Sequence, residues 1–542
     1  RIEEPMAKLE KLSKAVMETP EAKDLHDLYA SLCTQLESYE QKHIKEWYED
    51  VAATGEEKLK LSLLIRDDNE DLPLIHVNFD PDLVKLLREV KYFTVLGVDI
   101  PAPAQAIFVR ADKFRSQTGN LEIIAITYNN VLKNLLPVEK PLIEHRLQAA
   151  DQSLQKGLQS MNWNSHKIDD YLAEVLAMVK DLSGTLTTIK NNVETTRDIL
   201  SQWSSNLMFE RKEGKTYTME ELLEAHSALT AVRYAAIEEG GKGITKLLSN
   251  SNRTLKVSKG APAWKDYVEY VSEIVTNGMS KAILVSIDFL KSQIDPEVMA
   301  KNEIAPLIEI ELELLVPDIV WKPDLGQLKG GVQSTFDSWI KGFLEVGTLT
   351  KRLDTGEGSY SVELEEDFVV RMAISEVQEL VLANQEECIA FKESYRKFEY
   401  LWVNDLNQTL REFLEANAME LEDGTKDDPS LERFDEEINK YKEVQDEIQA
   451  LTTSKNIGWI RVDAKPIKQA LSTTVTKWIF QYTSYLSNKV TDSIDDLYLF
   501  IEESTSVLSK TDLLTGDASP PDAAEAEGGA EEEAAKPLDK KA

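Results

Sequence analysis

The stretch Ile168–Leu207, IDDYLAEVLAMVKDLSGTLTTIKNNVETTRDILSQWSSNL, carries the pattern that decides the fold class. Ile168, Leu172, Val175, Val179, Leu182, Leu186, Ile189, Val193, Thr196, Leu200, Trp203 and Leu207 follow one another at alternating steps of four and three, and all but Thr196 are apolar. Such steps return to one side of an α-helix, whereas a strand alternates every second residue. The spacing predicts one continuous helix. At about 1.5 Å per residue it would run roughly 60 Å. Its single apolar seam gives it no stability alone in water, so neighbouring helices must cover it.

Further seams repeat along the chain. One runs through Ile374, Val377, Val381, Asn384, Cys388, Phe391, Tyr395, Phe398 and Trp402, with Asn384 as a polar interruption. Another runs through Phe434, Ile438, Tyr441, Val444, Ile448 and Leu451. A third, announced by Pro466, carries Leu471, Val475, Trp478, Tyr482, Tyr485, Val490, Ile494, Leu497 and Ile501. Thr218 with Glu221 forms a capping box for a helix expected to end near Gly240-Gly241.

The segment VNFDPDLVKLLREVKYFTVLGVDIP, Val77 to Pro101, clusters acids, prolines and aromatics in a way that invites a catalytic reading. The physics favours architecture. Asp80 before Pro81 is a helix start, because the carboxylate accepts orphan N–H groups and proline at the first position loses no hydrogen bond. Phe79 is then placed to close over Val84 as a staple, and Asp82 sits at the positive end of the helix dipole. Leu83, Leu86, Leu87, Val90 and Phe93 recur at helical spacing. General acid–base chemistry needs two carboxylates converging on a cleft, and both acids here are already accounted for.

The exception to helix is PLIEIELELLVPDIVWKPDL, Pro306 to Leu325, where Ile308, Ile310, Leu312 and Leu314 alternate with Glu309, Glu311 and Glu313. Period two predicts a half-buried strand, and Val316-Pro317-Asp318 a turn into a returning one. From about Thr515 the composition shifts to eight acids, three lysines and no aromatic residue, too little apolar matter to offset ordering entropy. The expected fold is mainly all-α: elongated tandem helical bundles with a small β-hairpin insertion near 306–325. The expected sections are a first helical bundle region over 1–165, a long-helix bundle over 166–300, a hairpin-containing connector over 301–360, a C-terminal helical bundle over 361–514 and an acidic flexible linker over 515–542.

The chain has 542 residues, room for three or four domains at about 150 residues each. Its net charge of −35, from 96 acids against 61 bases, repels nucleic acid and anionic membranes and favours basic protein partners. Cys33 and Cys388 are too few for a disulfide framework and suit a reducing compartment. No apolar run approaches the roughly 18 residues of a membrane helix, and no signal peptide opens the chain. The first residue is Arg1, not methionine, which leads us to expect a segment of a longer protein. Asn252-Arg253-Thr254 and Asn407-Gln408-Thr409 match the glycosylation pattern by chance, on the reading of a cytosolic chain.

Motifs for chemistry fail one after another. Gly240-Gly241-Lys242-Gly243-Ile244-Thr245 approaches a phosphate loop, yet Gly243 stands where a Ser or Thr should meet magnesium, and the loop follows a helix instead of a strand. Helix termination is the reading adopted. Asp67, Asn69 and Asp71 fill calcium-loop positions, but Leu72 replaces the turn glycine and Asn78 the closing glutamate. His26, His43, His76, His145, His166 and His226 make no paired ligand spacing, and no GxSxG or GxGxxG occurs. Trp203, Trp402 and Trp478 fall on apolar seams and are expected in the core. No metal, cofactor or catalytic residue is expected in this chain.

Several of these stretches resemble a known family. VNFDPDLVKLLREVKYFTVLGVDIP is similar to the most recognisable stretch of the N-terminal tail, or stem, of dynein heavy chains, the axonemal ones above all. YNNVLKNLLPVEKPLIEHRL (Tyr128 to Leu147), GLQSMNWNS (Gly157 to Ser165), FEYLWVNDL (Phe398 to Leu406) and GWIRVDAKPIKQAL (Gly458 to Leu471) resemble later landmarks in the same order. The resemblance covers approximately residues 20 to 510. The acidic segment after Thr515 departs from it.

The resemblance implies a non-catalytic tail that assembles heavy, intermediate and light chains and anchors a microtubule motor to the doublet microtubule through docking factors. It implies residence in the cytoplasm and in the axoneme of a cilium or flagellum. The ATPase ring, with its ATP and magnesium, would follow in the parent chain, and a heavy-chain dimerisation region would precede Arg1. Outer-arm type is the expectation, with inner-arm membership left open by the residues. Two other readings compete: a helical tether or spectrin-like scaffold unrelated to motors, which should show a regular repeat and does not, and an enzyme with an unrecognised site.

A candidate partner surface comes from charge. Between Asp405 and Glu447 there are fifteen acids and five bases, while Phe434, Ile438, Tyr441 and Ile448 supply the packing face. The acids must then lie mostly outward, with Glu432, Glu436 and Glu443 as candidates for meeting a basic patch on an accessory or neighbouring heavy chain. A merely solvated face is the other reading of such a run.

Overall fold

A computed structural model describes residues 3–67, 72–420 and 426–514 of the chain. Asp68 to Asp71 of the calcium-like cluster and the acidic stretch 515–542, expected as a linker, lie outside the described residues. Helix makes up 73% of the structure, with a few small sheets.

The principal elements in chain order are α1 Pro20–Lys58, β1 Leu64–Asp67, β2 Leu74–Val77, α2 Pro81–Leu96, α3 Ala111–Asn134, α4 Lys140–Gln159, α5 Ile168–Ser205, α6 Met219–Leu255 and α7 Pro262–Ile294. There follow β3 Ile308–Leu315, β4 Asp318–Lys322, α8 Val332–Glu345, α9 Phe368–Glu393, α10 Leu406–Ala416, α11 Leu431–Ala450, β5 Ser454–Ile457, β6 Ile460–Asp463 and α12 Lys465–Leu514. The chain divides into two compact units, Arg1–Ala305 with Gln333–Leu382, and Pro306–Val332 with Ala383–Ala542.

The first unit is organised by α5. Every seam position from Ile168 to Trp203 is buried, Thr196 included, and the helix packs against α3, α4, α6 and α7. Thr196 is tolerated there because its hydroxyl donates to the Asn192 carbonyl at 2.9 Å within the helix. The helix stops at Ser205, so Leu207, expected as its last residue, lies just beyond.

The start of α2 is built as its residues require. Asp82 N–H donates to Asp80 Oδ1 at 2.8 Å, Pro81 opens the helix, and Gly97 ends it at φ 73°, a conformation that glycine adopts without strain. Leu83, Leu86 and Val90 are buried. Phe79, expected to close over Val84, packs edge-on against Trp163 at 4.8 Å and beside Phe114 at 5.9 Å, and Val84 stays exposed. The two carboxylates meet Lys58, which hydrogen-bonds Asp82 and holds its carboxyl below the usual range.

One expectation fails outright. The helix opened by the Thr218–Glu221 capping box does not end near Gly240-Gly241, but continues unbroken to Leu255. Its glycines serve close approach instead of termination. A Cβ on Gly240 would lie 2.9 Å from Ile199 Cγ2 and from the Trp203 ring of α5, and one on Gly241 would lie 2.7 Å from Thr350. The helical penalty of glycine, about 1 kcal/mol relative to alanine, is offset by the packing this contact permits.

In the second unit, the alternation at 308–314 is a strand as expected. Antiparallel β3 and β4 pair Leu312 with Trp321 and Leu314 with Ile319, and Ile308, Ile310 and Leu312 are buried while the intervening glutamates are half-exposed. The hairpin is part of something larger. β3 also pairs parallel with β6, Ile308 opposite Ile460 and Ile310 opposite Val462, and β6 pairs antiparallel with β5. α12 packs across β3 and along α11. The first unit adds an antiparallel pair, β1 and β2, that no alternation in the sequence announces.

Two seams are shorter in space than in sequence. The seam from Ile374 is not one helix: α9 ends at Glu393, and the buried Tyr395 and Phe398 lie beyond it, Tyr395 just before and Phe398 at the end of the short 3-10 turn Arg396–Phe398. In α12, Leu471, Val475, Trp478 and Tyr482 are fully buried, but Val490, Ile494, Leu497 and Ile501 are about half exposed.

Candidate functional site

The candidate partner face is the outer side of α11. Phe434, Ile438, Tyr441 and Ile448 fix that helix by burying its inner side. Tyr441 stacks on Trp478 with ring centres 5.4 Å apart, Phe434 stacks on Tyr485 at 5.9 Å, and Phe413 of α10 meets Phe434 at 5.1 Å and Tyr482 at 5.3 Å. Burial pushes the Tyr441 phenol upward, and burial with the nearby Glu437 pushes Tyr482 up to about 12. These phenols stay neutral at physiological pH and belong to the core.

Glu432, Glu436 and Glu443 are exposed on the opposite side of the same helix. Their spacing of four and seven residues places them in one stripe. Glu436 is paired with Arg433 at 2.8 Å. Glu432 and Glu443 make no ion pair among the described residues. Elsewhere on the helix Glu437 meets Lys440 at 3.3 Å and Glu447 meets Lys397. Exposed pairs of this kind are worth about 0–1 kcal/mol each, so they do not neutralise the face as a recognition surface. What it can do chemically is attract cations.

The other motifs are placed in structural roles. Gly240 to Thr245 lie inside α6, with Lys242 tied to Glu238 at 2.7 Å. Asp67 ends β1. Trp203 and Trp478 are buried, while Trp402 is half-buried and donates its indole N–H to the Pro317 carbonyl at 2.9 Å. His226 sits among Phe209, Trp339 and Phe343, where burial lowers its imidazole to about 4. Cys388 is buried, and burial raises its thiol to about 12. Asn252 of the glycosylation-like triplet donates to the Val257 carbonyl at 3.1 Å. Among the described residues no group of three or more His, Cys, Asp or Glu is arranged to hold a metal, and no helix is long and apolar enough to cross a membrane.

Sequence reasoning missed two fully buried indoles, Trp163 and Trp459. Trp163 donates to the Asn78 carbonyl at 2.8 Å, tying the loop before α5 to the loop before α2. Neither tryptophan lies in a periodic run, so no spacing marked it as core.

Comparison with known proteins gives this architecture a family. Residues 1–171 match the family described as "Dynein heavy chain, N-terminal region 1". Over 94% of the chain it is 44% identical to the flagellar outer arm dynein beta chain of Chlamydomonas reinhardtii. It is 31% identical over 94% of its length to the ciliary dynein beta chain of Heliocidaris crassispina, and 29% identical to human dynein axonemal heavy chain 17. The chain spans 12% of the length of each of these relatives. Identity over 94% of the chain takes in both units and leaves the unrelated tether without support: the chain belongs to the dynein heavy chains, and is the N-terminal tail region of an axonemal chain of outer-arm type.

Proposed function

We propose that this segment is a non-catalytic scaffold of an axonemal dynein. It gathers heavy, intermediate and light chains, meets docking factors on the doublet microtubule, and so ties the motor to its place in a cilium or flagellum. The observation that carries the reading is identity across 94% of the chain with a flagellar outer-arm heavy chain. The packing of α11 adds to it, since an inner side fixed by aromatic rings presents the acidic stripe on a rigid element.

The stripe is proposed to meet a basic patch on an accessory or neighbouring heavy chain. Rim charges act mainly on encounter rate and salt dependence. Glu432→Lys, Glu436→Lys and Glu443→Lys together should therefore reduce recovery of the complex when the tail is co-expressed with intermediate and light chains. The loss should be larger at low salt than at moderate salt, with the melting temperature of the tail unchanged. Equal recovery with an unchanged salt response would leave the face as solvation alone.

ATP and magnesium are assigned to the motor region of the parent chain, and no cofactor to this segment. The support is that the GGKG sequence is wound into a helix, where its backbone N–H groups are already spent on helical bonds and form no phosphate cradle. Titration calorimetry of the folded segment with MgATP should give no saturable heat. A micromolar affinity would overturn the assignment.

A further inference from the structure

We infer that a cation-rimmed cavity in the first unit receives a short acidic segment of a partner protein, seating an apolar residue of that segment on its floor. The cavity, about 540 Å³, is enclosed by the second half of α6, the start of α7 and the segment 349–356. That volume falls within the range of about 300–1,000 Å³ usual for binding pockets.

The floor is apolar, formed by Leu248, Trp264, Val268, Leu349 and Leu353. The rim carries Lys242, Lys259, Lys351 and Arg352 against a single carboxylate, Glu238. The chain as a whole carries a net charge of −35, so this lining of four cations to one carboxylate runs against the overall balance. Glu238 is held by Lys242 at 2.7 Å, and Arg352 is committed to Asp354 at 2.7 Å and to Glu363. Lys259 and Lys351 make no ion pair among the described residues and are exposed, which leaves two cations for an incoming anion. Thr350, 4% exposed, lines the same cavity against Gly241, and its hydroxyl has no hydrogen-bond partner among the described residues.

These features together select the occupant. A small inorganic anion would satisfy the lysines but leave the apolar floor wet. An apolar segment without charge would leave the lysines unused. An acidic segment is repelled by the field over the rest of the chain and attracted here, so charge gives this place its selectivity while the floor gives it hold. The inference rests on the reading of the chain as an assembly scaffold. It uses a surface of opposite sign to the α11 stripe, so either can fail while the other stands.

The test is fluorescence anisotropy with the full chain and a fluorescein-labelled synthetic peptide carrying a Phe-Leu pair between runs of Glu. Saturable binding that weakens with salt is expected. Lys259→Glu with Lys351→Glu should weaken it by about tenfold or more, whereas Lys281→Glu with Lys301→Glu, two exposed lysines outside the cavity, should not. A second peptide with Ser-Ser in place of Phe-Leu should bind the unaltered chain about tenfold more weakly, as loss of two buried apolar side chains requires. The inference is overturned by absence of saturable binding, by equal loss in both lysine pairs, by equal affinity of the Ser-Ser peptide, or by displacement of the peptide by equimolar inorganic pyrophosphate.

Discussion

Leu186→Asp is expected to destabilise the first unit's bundle strongly at neutral pH. Leu186 is 4% exposed and lies mid-seam in α5, the helix on which α3, α4, α6 and α7 converge. Truncation alone, as in Leu186→Ala, should destabilise by about 2–5 kcal/mol through lost transfer energy and a cavity. The aspartate adds an unpaired carboxylate in an apolar seam, at a further cost of several kcal/mol unless it takes up a proton. Against a domain stability of about 5–15 kcal/mol, the two costs together remove most of the margin.

The pH dependence distinguishes the two variants. Burial raises the pKa of the introduced carboxyl in the folded state above its unfolded value, so the charged form is the destabilising one. The charge penalty is then full above the raised folded pKa, shrinks as pH falls below it, and vanishes below the ordinary aspartate value of about 3.9. Measured against the unaltered chain at each pH, the melting deficit of the Leu186→Asp variant should narrow toward that of the Leu186→Ala variant on acidification, while the latter deficit stays level. Circular dichroism melts over that range check it. A Leu186→Asp variant that melts with the unaltered chain at neutral pH would refute the buried seam.

The same helix shows which parts of the fold were legible in sequence. A seam within one helix is local information, because steps of three and four fix the buried side whatever covers it. For this reason Ile168 to Trp203 of the α5 seam, Phe434, Ile438, Tyr441 and Ile448 of α11, and Leu471, Val475, Trp478 and Tyr482 of α12 are buried as their spacing predicts, while Val444, Leu451 and Tyr485 of the same seams are half-buried. The acidic stripe was legible by subtraction: once Phe434, Ile438, Tyr441 and Ile448 face inward, Glu432, Glu436 and Glu443 have only the outside left.

What depended on distant neighbours was not legible. Gly240-Gly241 reads as a stop when taken alone, and becomes a contact surface only when Ile199, Trp203 and Thr350 arrive against it. The strand Ile460–Asp463 is four residues long, too short to show a period, and its parallel partner at Ile308–Glu311 lies about 150 residues earlier, outside the reach of any pattern window. Periodicity also says which side of a helix is apolar without saying that anything covers it. The exposed Val490, Ile494, Leu497 and Ile501 continue the seam of Trp478 and Tyr482 beyond the point where α11 packs on it. The cavity beside α6 was hidden for a related reason, since Lys259 and Lys351 are far apart in sequence and meet only through the fold.

In the second unit the largest loss is expected from Trp478→Ala. Trp478 is fully buried, stacks on Tyr441 at 5.4 Å with ring planes 16° apart, and donates its indole N–H to the Leu401 carbonyl at 2.8 Å. It therefore joins α12 both to α11 and to the turn that precedes α10. Removing the indole should cost about 3–5 kcal/mol by cavity formation, and Tyr441, its stacking partner, loses one wall of its site. Trp478→Phe separates the two contributions. It retains an aromatic face for Tyr441 but no donor, leaving the Leu401 carbonyl buried and unpaired at about 1–3 kcal/mol. Denaturant melts followed by tyrosine and tryptophan fluorescence should rank the chains as unaltered, Phe, then Ala, with the Ala variant also weakened in co-expression because α11 loses the support that presents Glu432, Glu436 and Glu443. If Phe and Ala were equally destabilised, the hydrogen bond to Leu401 would be the main tie, and the stacked rings would contribute little. If neither moved the midpoint, α12 would not be the element that holds the acidic helix in place.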